Sequence, residues 1–95
     1  MTTITPLSET QKKEITRRVR QLAVKHLQMG VSTGTLIVCR ACGYARPLIG
    51  ATCYGKYRLC NDCTLEYELD MASGEVRDIE TFIALKMAQK HLSSI

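Results

Sequence analysis

Two Cys-X-X-Cys pairs constrain this sequence more than any other feature. The first pair is Cys39–Cys42, the second is Cys60–Cys63, and seventeen residues separate them. Two cysteines three positions apart can place both sulfurs on one side of a tight turn, and two such turns together surround one cation with four sulfurs. Gly43, directly after the first pair, suits a turn position that requires a positive φ. The spacing therefore predicts that the four cysteines bind one metal ion.

The donor set indicates which ion this would be. Four thiolates favour Zn²⁺ in a closed tetrahedral site, which is structural because no coordination position stays open for a substrate. Iron is the alternative, since Cys42-Gly43-Tyr44 resembles a rubredoxin knuckle, although Thr64 follows Cys63 where rubredoxin usually has glycine. A redox dithiol at Cys60–Cys63 is a further alternative. Because the pairs match each other, we expect shared coordination of one structural Zn²⁺.

The fifth cysteine, Cys53, leaves an odd number of thiols, which fits a complete disulfide framework poorly. Residues 1–9 are polar, and no apolar run reaches the roughly 20 residues needed to span a bilayer. We therefore expect an intracellular protein without membrane association, in the cytoplasm and nucleoid or in a nucleus. Cys53 is predicted to be a small buried side chain. A redox-sensitive thiol and a substitute ligand are the other interpretations.

The N-terminal part of the chain has a helical pattern. Ser8 and Gln11 have the spacing of a capping box, and Gly30 is suited to follow the last turn. Apolar residues recur between them with a helical period. The pattern predicts a tail over residues 1–8 and an amphipathic, basic helix over residues 9–29.

The remaining sequence predicts a zinc module over residues 35–72 and a second helix over residues 75–92. Residues 35–38 are β-prone, and residues 43–59 suit one small hairpin with its turn near Tyr54-Gly55. A helix is expected from Cys63 to residue 72, and Ser73 is expected to cap the C-terminal helix. The whole chain is then a single small α+β domain, a zinc module with a short hairpin flanked by two helices.

The C-terminal helix carries a broad apolar face over residues 76–92. Its main members are Val76, Ile79, Phe82, Ile83, Leu85, Met87 and Leu92. We expect this face to pack against the apolar stripe of the N-terminal helix, with homodimerisation through the same face as the competing interpretation.

Charge is distributed unevenly along the chain. Residues 1–30 have a net charge of +4, residues 31–63 of +3 and residues 64–95 of −3. A basic segment interleaved with tyrosines is typical of proteins that bind nucleic acid, because cations contact phosphates and aromatic rings stack on bases. The residues predicted to contact nucleic acid are Lys12, Lys13, Arg17, Arg18, Arg20, Arg40, Arg46, Lys56 and Arg58.

Two zinc-finger families share these motifs. Cys39-Arg-Ala-Cys42, the seventeen-residue gap and Cys60-Asn-Asp-Cys63 resemble the GATA-type zinc finger, and the likeness extends over residues 59–67. That resemblance implies a treble-clef or zinc-ribbon-like module, with a knuckle and hairpins first and a helix that begins at the second pair. It also implies DNA binding.

The same spacing, with Gly43 after Cys42, is similar to the DksA/TraR-type zinc finger. Members of that family bind bacterial RNA polymerase and modulate initiation without reading a DNA sequence. The order of helix, zinc module and helix is similar to that of its short members. Either resemblance covers about residues 39–70.

We expect a small zinc-stabilised regulator of transcription that binds DNA. The alternative is an adaptor that binds RNA polymerase or another large complex, without reading a DNA sequence. It is based on the broad apolar face of residues 76–92 and on the acidic helix after Cys63, whose Glu66, Glu68 and Asp70 would repel phosphate. No nucleophile–base set, phosphate-binding glycine loop or open zinc site points to an enzyme.

Overall fold

The computed structural model describes the backbone of residues 6–93 and the side chains of residues 6–89. Over these residues the chain forms a small α+β fold of three helices and two antiparallel hairpins. In chain order the elements are α1 (Glu9–Gln28), β1 (Leu36–Val38), β2 (Ala45–Pro47), β3 (Thr52–Tyr54), β4 (Tyr57–Leu59), α2 (Asn61–Ser73) and α3 (Ile79–Ser93). Of the predicted tail, residues 1–5 lie outside the described part.

Helix α1 begins at the predicted capping box. The Ser8 hydroxyl accepts a hydrogen bond from the Gln11 backbone N–H at 3.1 Å, and the Gln11 side chain accepts one from the Ser8 backbone N–H at 2.9 Å. The two bonds satisfy donors that a helix N-terminus otherwise leaves unpaired. The helix ends at Gln28, one residue before the predicted end, and Gly30 has a φ of 83°.

Helix α1 packs against α2. Its buried residues are Ile15 and Val19, which lie on one stripe as the helical period requires. The Asn61 side-chain amide donates to the Val19 carbonyl oxygen at 3.0 Å. Helix α1 is therefore held on the first turn of α2 by apolar burial and by a polar contact.

Residues 36–59 form two hairpins, whereas the sequence predicted one hairpin over residues 43–59. Strand β1 pairs with β2, so that Ile37 lies opposite Arg46 and Leu36 opposite Pro47. Strand β2 was not predicted, because three residues that include a proline carry little strand signal of their own. Proline is tolerated there because β2 lies at the edge of its sheet.

The second hairpin, β3–β4, has its turn at Gly55-Lys56, where Gly55 has a φ of 62°. The ring of Tyr54 on β3 meets the ring of Tyr67 on α2 edge-on, with centroids 4.7 Å apart. The Tyr67 ring in turn contacts the ring of Phe82 on α3, with centroids 5.2 Å apart. Three aromatic rings thus connect this hairpin to α2 and α3.

The predicted start of the C-terminal helix is wrong. Ser73 ends α2 instead of capping the next helix, and Gly74 follows in the left-handed conformation with a φ of 85°. Asp78 supplies the cap of α3, because its carboxylate accepts from the Thr81 backbone N–H at 2.8 Å. Helix α3 therefore begins at Ile79, after a short connection that buries Val76 in the core.

Within the described side chains, the apolar face of α3 does not pack on α1 as expected, and the side chain of Leu92 lies outside them. Phe82 and Ile83 are buried in one core cluster with Leu59 and Tyr67, and α1 contributes no residue to that cluster. Helix α2 contacts both helices, because it packs against α1 and its Tyr67 ring contacts Phe82 of α3. Leu85 and Met87, by contrast, are exposed.

Candidate metal centre

The first cysteine pair lies in a tight turn directly after β1. The Cys39 backbone N–H donates to the Tyr44 carbonyl oxygen at 3.0 Å, and the Gly43 N–H donates to the Cys39 carbonyl oxygen at 2.8 Å. Gly43 has a φ of 78°, which a residue with a side chain adopts at a cost. The turn holds the backbone so that Cys39 and Cys42 bring their sulfurs to the same cluster.

The second pair lies where β4 ends and α2 begins. Cys60 is the N-cap of α2, with φ −66° and ψ 168°, and its Sγ accepts from the Cys63 backbone N–H at 3.5 Å. The Cys60 N–H in turn donates to Cys39 Sγ at 3.3 Å, which joins the two pairs. The cap position thus directs the Cys60 sulfur at backbone donors and at the first pair.

The four sulfurs form one cluster. The Sγ atoms of Cys39, Cys42, Cys60 and Cys63 all lie within 4.8 Å of one another, and none of the four forms a disulfide within the described residues. Zinc–sulfur bonds of about 2.3 Å in a tetrahedron place sulfurs about 3.8 Å apart. Cys39, Cys60 and Cys63 are buried, whereas Cys42 is half-buried. The group is therefore positioned to bind one metal ion.

Electrostatics in the cluster favour a bound cation. Burial opposes ionisation of the Cys39 thiol, but hydrogen bonds from the backbone N–H groups of Cys42, Cys60 and Ala41 outweigh it and lower the pKa of Cys39 to about 7. Burial and the neighbouring sulfurs of Cys60 and Cys39 raise the pKa of Cys63. A cluster of four thiolates therefore requires a compensating positive charge, which a divalent ion supplies.

Arg46 on β2 provides a second positive charge at the site. Its contact with the Cys60 sulfur raises the pKa of the guanidinium. Its Nε is buried and has no other hydrogen-bond partner among the side chains of residues 6–89, so the Cys60 sulfur is an available acceptor. The same guanidinium contacts the Asp62 carboxylate, which also accepts from Arg20 of α1 at 2.6 Å. The site is thus linked through Asp62 to α1.

These observations fit a structural metal site. The four cysteines would hold the ion, and the ion would cross-link the turn after β1 to the start of α2. Four protein ligands leave no coordination position for a substrate. Arg46 is a site residue that the sequence analysis placed among the nucleic-acid contacts. Arg46 lies on β2, a strand that was not predicted, and its contact with the Cys60 sulfur was therefore not expected from the sequence.

The remaining cysteine, Cys53, lies apart from the cluster. It is exposed on the outer side of the β3–β4 hairpin, opposite Arg58. The expectation that it is buried is wrong, because alternate residues of a two-stranded hairpin face outward unless another layer covers them. In this hairpin the inner side carries Leu59 of β4 instead.

The cations predicted to contact nucleic acid fall into two groups. One group lies on α1, where all of them are exposed: Lys12, Lys13, Arg17, Arg18 and Arg20. The other lies on the zinc module: Arg40, Arg46, Lys56 and Arg58. Arg40 and Lys56 approach the ring of Tyr57, at 6.0 and 5.4 Å from its centroid. The structure therefore does not gather the nine residues on one element.

None of the helices within residues 6–93 is long and apolar enough to cross a membrane.

Comparison with known proteins gives no relative for this chain. No family model, no curated protein and no solved structure matches the sequence or the fold.

Proposed function

We propose that this chain is a zinc-stabilised regulatory protein that binds DNA through α1 in the control of transcription. One observation carries the proposal. Helix α1 turns its apolar stripe, with Ile15 and Val19, toward α2, and all six of its Lys and Arg side chains are exposed. A basic helix presented in this way can contact several phosphates at once.

Most of these cations are available to a phosphate. Lys13, Arg18 and Lys25 make no ion pair within residues 6–93. Lys12 and Arg17 pair with glutamates of the same helix, at 3.6 and 2.7 Å. Exposed pairs of this kind contribute little free energy, so a phosphate can replace them. Arg20 differs, because it is held by Asp62 beside the metal site.

The four-cysteine cluster supports a bound Zn²⁺, and the order of elements around it supports a treble-clef arrangement. A cysteine knuckle, the β3–β4 hairpin and a helix that begins at the second cysteine pair follow one another along the chain. The GATA-type finger uses the helix that begins at its second cysteine pair to read DNA. Here α2 is covered by α1 and carries Glu66, Glu68 and Asp70, so we assign DNA contact to α1 and expect it to address the phosphate backbone.

The experiment is a salt titration of DNA binding. Fluorescence anisotropy with a labelled mixed-sequence duplex should show affinity that falls with salt, by about 0.9 in log–log slope for each phosphate contact. Replacing Lys13, Arg18 and Lys25 together with glutamine should reduce that slope by two to three units, about one per cation. Arg77→Gln is the matched control, because Arg77 is exposed but lies between α2 and α3. An unchanged slope in the triple variant, or no binding at low salt, contradicts the proposal.

A second candidate function is an adaptor that binds RNA polymerase or another large complex. The observation that favours it is the outer face of the β1–β2 hairpin, where Leu36 and Val38 are exposed next to Ala45 and Pro47. Contiguous exposed apolar surface of this kind can mark a contact site for another protein. Co-elution of the metal-loaded protein with purified RNA polymerase tests it, with Val38→Asp as the variant that should abolish co-elution.

Homodimerisation through the C-terminal helix, residues 76–92, is a further proposal. Leu85 and Met87 remain exposed after the inner side of α3 has packed on the core. A native mass spectrum reports the ion content and the number of chains together. A dimer that Met87→Glu converts to a monomer supports this interface, and a monomer at every concentration rules it out.

A further inference from the structure

An open groove of about 400 Å³ separates the two hairpins. One side is formed by Leu36 and Val38 of β1 and by Arg40, which follows Cys39. The other side is formed by the second hairpin, with Cys53, Lys56 and Arg58. We call this feature the inter-hairpin groove. It lies on the zinc module and includes no residue of α1, the proposed DNA-binding helix.

The β1 side of the groove is an unpaired strand edge. A backbone hydrogen bond lies at each end of the β1–β2 ladder: the Cys39 N–H donates to the Tyr44 carbonyl oxygen, and the Leu48 N–H donates to the Thr35 carbonyl oxygen. In an antiparallel pair only alternate residues bond to the partner strand, so Ile37 bonds to β2 while Leu36 and Val38 direct their N–H and C=O groups outward. Pro47, opposite Leu36, has no N–H and agrees with this register.

The second hairpin begins to pair with the same edge and then diverges. The Arg40 backbone N–H donates to the Arg58 carbonyl oxygen at 2.9 Å. No further backbone bond joins β1 to β4 within residues 6–93. The edge at Leu36 and Val38 is therefore left as a template that an added strand can complete.

The groove is cationic and apolar at the same time. Its charged lining residues are Arg40, Lys56 and Arg58, and none of its lining residues within the described chain is acidic. Tyr57 sits beside two of these cations and makes cation–π contacts with Arg40 and Lys56. Leu36 and Val38 add apolar surface, since these residues are 61% and 66% exposed.

We propose that the inter-hairpin groove binds an extended acidic segment of a partner protein, which adds as a strand to β1. The main-chain groups of Leu36 and Val38 would pair with the peptide backbone, and alternate acidic side chains would meet Arg40, Lys56 and Arg58. Nucleic acid fits less well, because a phosphate backbone has no N–H donor for the exposed carbonyl groups and gains little from aliphatic neighbours. This interaction is additional to DNA binding by α1.

The test uses a fluorescein-labelled peptide of ten residues that alternates valine and glutamate, titrated with the metal-loaded full chain. A copy methylated on alternate backbone nitrogens keeps the charge and side chains but cannot complete a ladder. We expect this copy, and the Arg40→Gln/Arg58→Gln double variant, to bind at least about tenfold more weakly. Arg77→Gln is the control that should bind as the original chain does.

Amide hydrogen exchange provides a readout that does not depend on variants. The peptide should slow exchange at Leu36 and Val38, whose N–H groups face the groove. Ile37 lies between them and is the internal control, because its N–H is already bonded to β2 and should change little.

Three results would overturn the proposal. Equal affinity of the methylated peptide and the parent excludes strand addition. No binding of the acidic peptide at about 1 mM, while duplex DNA still binds through α1, removes this site but not the proposed function. A labelled thymidine oligonucleotide that binds more tightly than the peptide, and that loses affinity in the Arg40→Gln/Arg58→Gln variant, assigns the groove to single-stranded nucleic acid.

Discussion

The side chain of Asn61 lies directly against Gly50. Its amide donates to the Gly50 carbonyl oxygen at 3.0 Å, and the same amide donates to the Val19 carbonyl oxygen of α1. The Gly50 N–H donates in turn to Nδ1 of His26 on α1, at 2.9 Å. Two backbone groups of one glycine thus connect the loop before β3 with both α1 and α2. His26 serves in this connection and is not a metal ligand.

Gly50→Ala should therefore destabilise the protein. A Cβ at this position would stand 2.8 Å from Nδ2 of Asn61, and the φ of +81° is unfavourable for alanine. We expect a loss of roughly 1–3 kcal/mol in the free energy of unfolding, measured by denaturant titration. Gly34→Ala is the control, since its Cβ would meet nothing within 4 Å. If both variants unfold at the same denaturant concentration, the contact with Asn61 has been overrated.

Removal of the metal should unfold the zinc module. Structural zinc sites contribute about 10–16 kcal/mol of apparent binding free energy, which is comparable to the whole stability of a small domain. We expect Cys60→Ser to lose the ion and to show a broad, non-cooperative thermal transition by circular dichroism. Cys53→Ser should keep one ion and the original transition, because Cys53 is exposed and lies outside the cluster. A cooperative transition in metal-free protein would refute this expectation.

Arg46→Gln should weaken metal binding without removing a ligand. The guanidinium lies beside the Cys60 sulfur and contacts Asp62, so its loss leaves the negative cluster less compensated. Changes to such supporting groups typically reduce metal affinity by about 10–100-fold. Competition with a chromophoric chelator measures the effect. Arg17→Gln is the control, because Arg17 pairs with Glu14 on the surface of α1, away from the cysteine cluster. Equal affinities in the two variants would count against a role for Arg46.

Asp70→Asn should stabilise the protein at neutral pH. Burial, with Glu75 and Glu66 nearby, raises the pKa of Asp70 to about 6. Because the folded state holds this proton more tightly than the unfolded state, stability falls as the pH rises from about 4 through 6, and the penalty is complete above that range. We expect a Tm higher by about 2–4 °C at pH 8 in excess zinc, with a smaller difference near pH 5.5. A difference that grows as the pH falls would show the opposite linkage.

The sequence was most informative where local chemistry decides the structure. The capping box of Ser8 and Gln11 requires only neighbouring residues, and α1 begins where that pattern predicts. The spacing of the two cysteine pairs likewise limits how four sulfurs can meet, and they do lie together. Both features depend on short segments whose geometry the residue types determine.

The sequence was least informative where tertiary contacts decide. Strand β2 exists because β1 pairs with it, and its own residues favour no strand. The start of α3 depends on whether Ser73 or Asp78 caps it, and both are good capping residues. The left-handed Gly74 settled this, because it follows Ser73 as the C-cap and ends α2 there. The exposure of Cys53 and the contact of Arg46 with Cys60 follow from the same pairings.

The bond between Asn61 and Val19 joins residues 42 positions apart, and this separation affects how the chain emerges during synthesis. Helix α1 is made first, yet the surface that covers Ile15 and Val19 belongs to α2 and is translated much later. Until then a newly made α1 exposes its apolar stripe, which is the condition that attracts chaperones. Zinc availability at the moment when Cys63 appears should therefore influence how much of the newly made protein stays soluble.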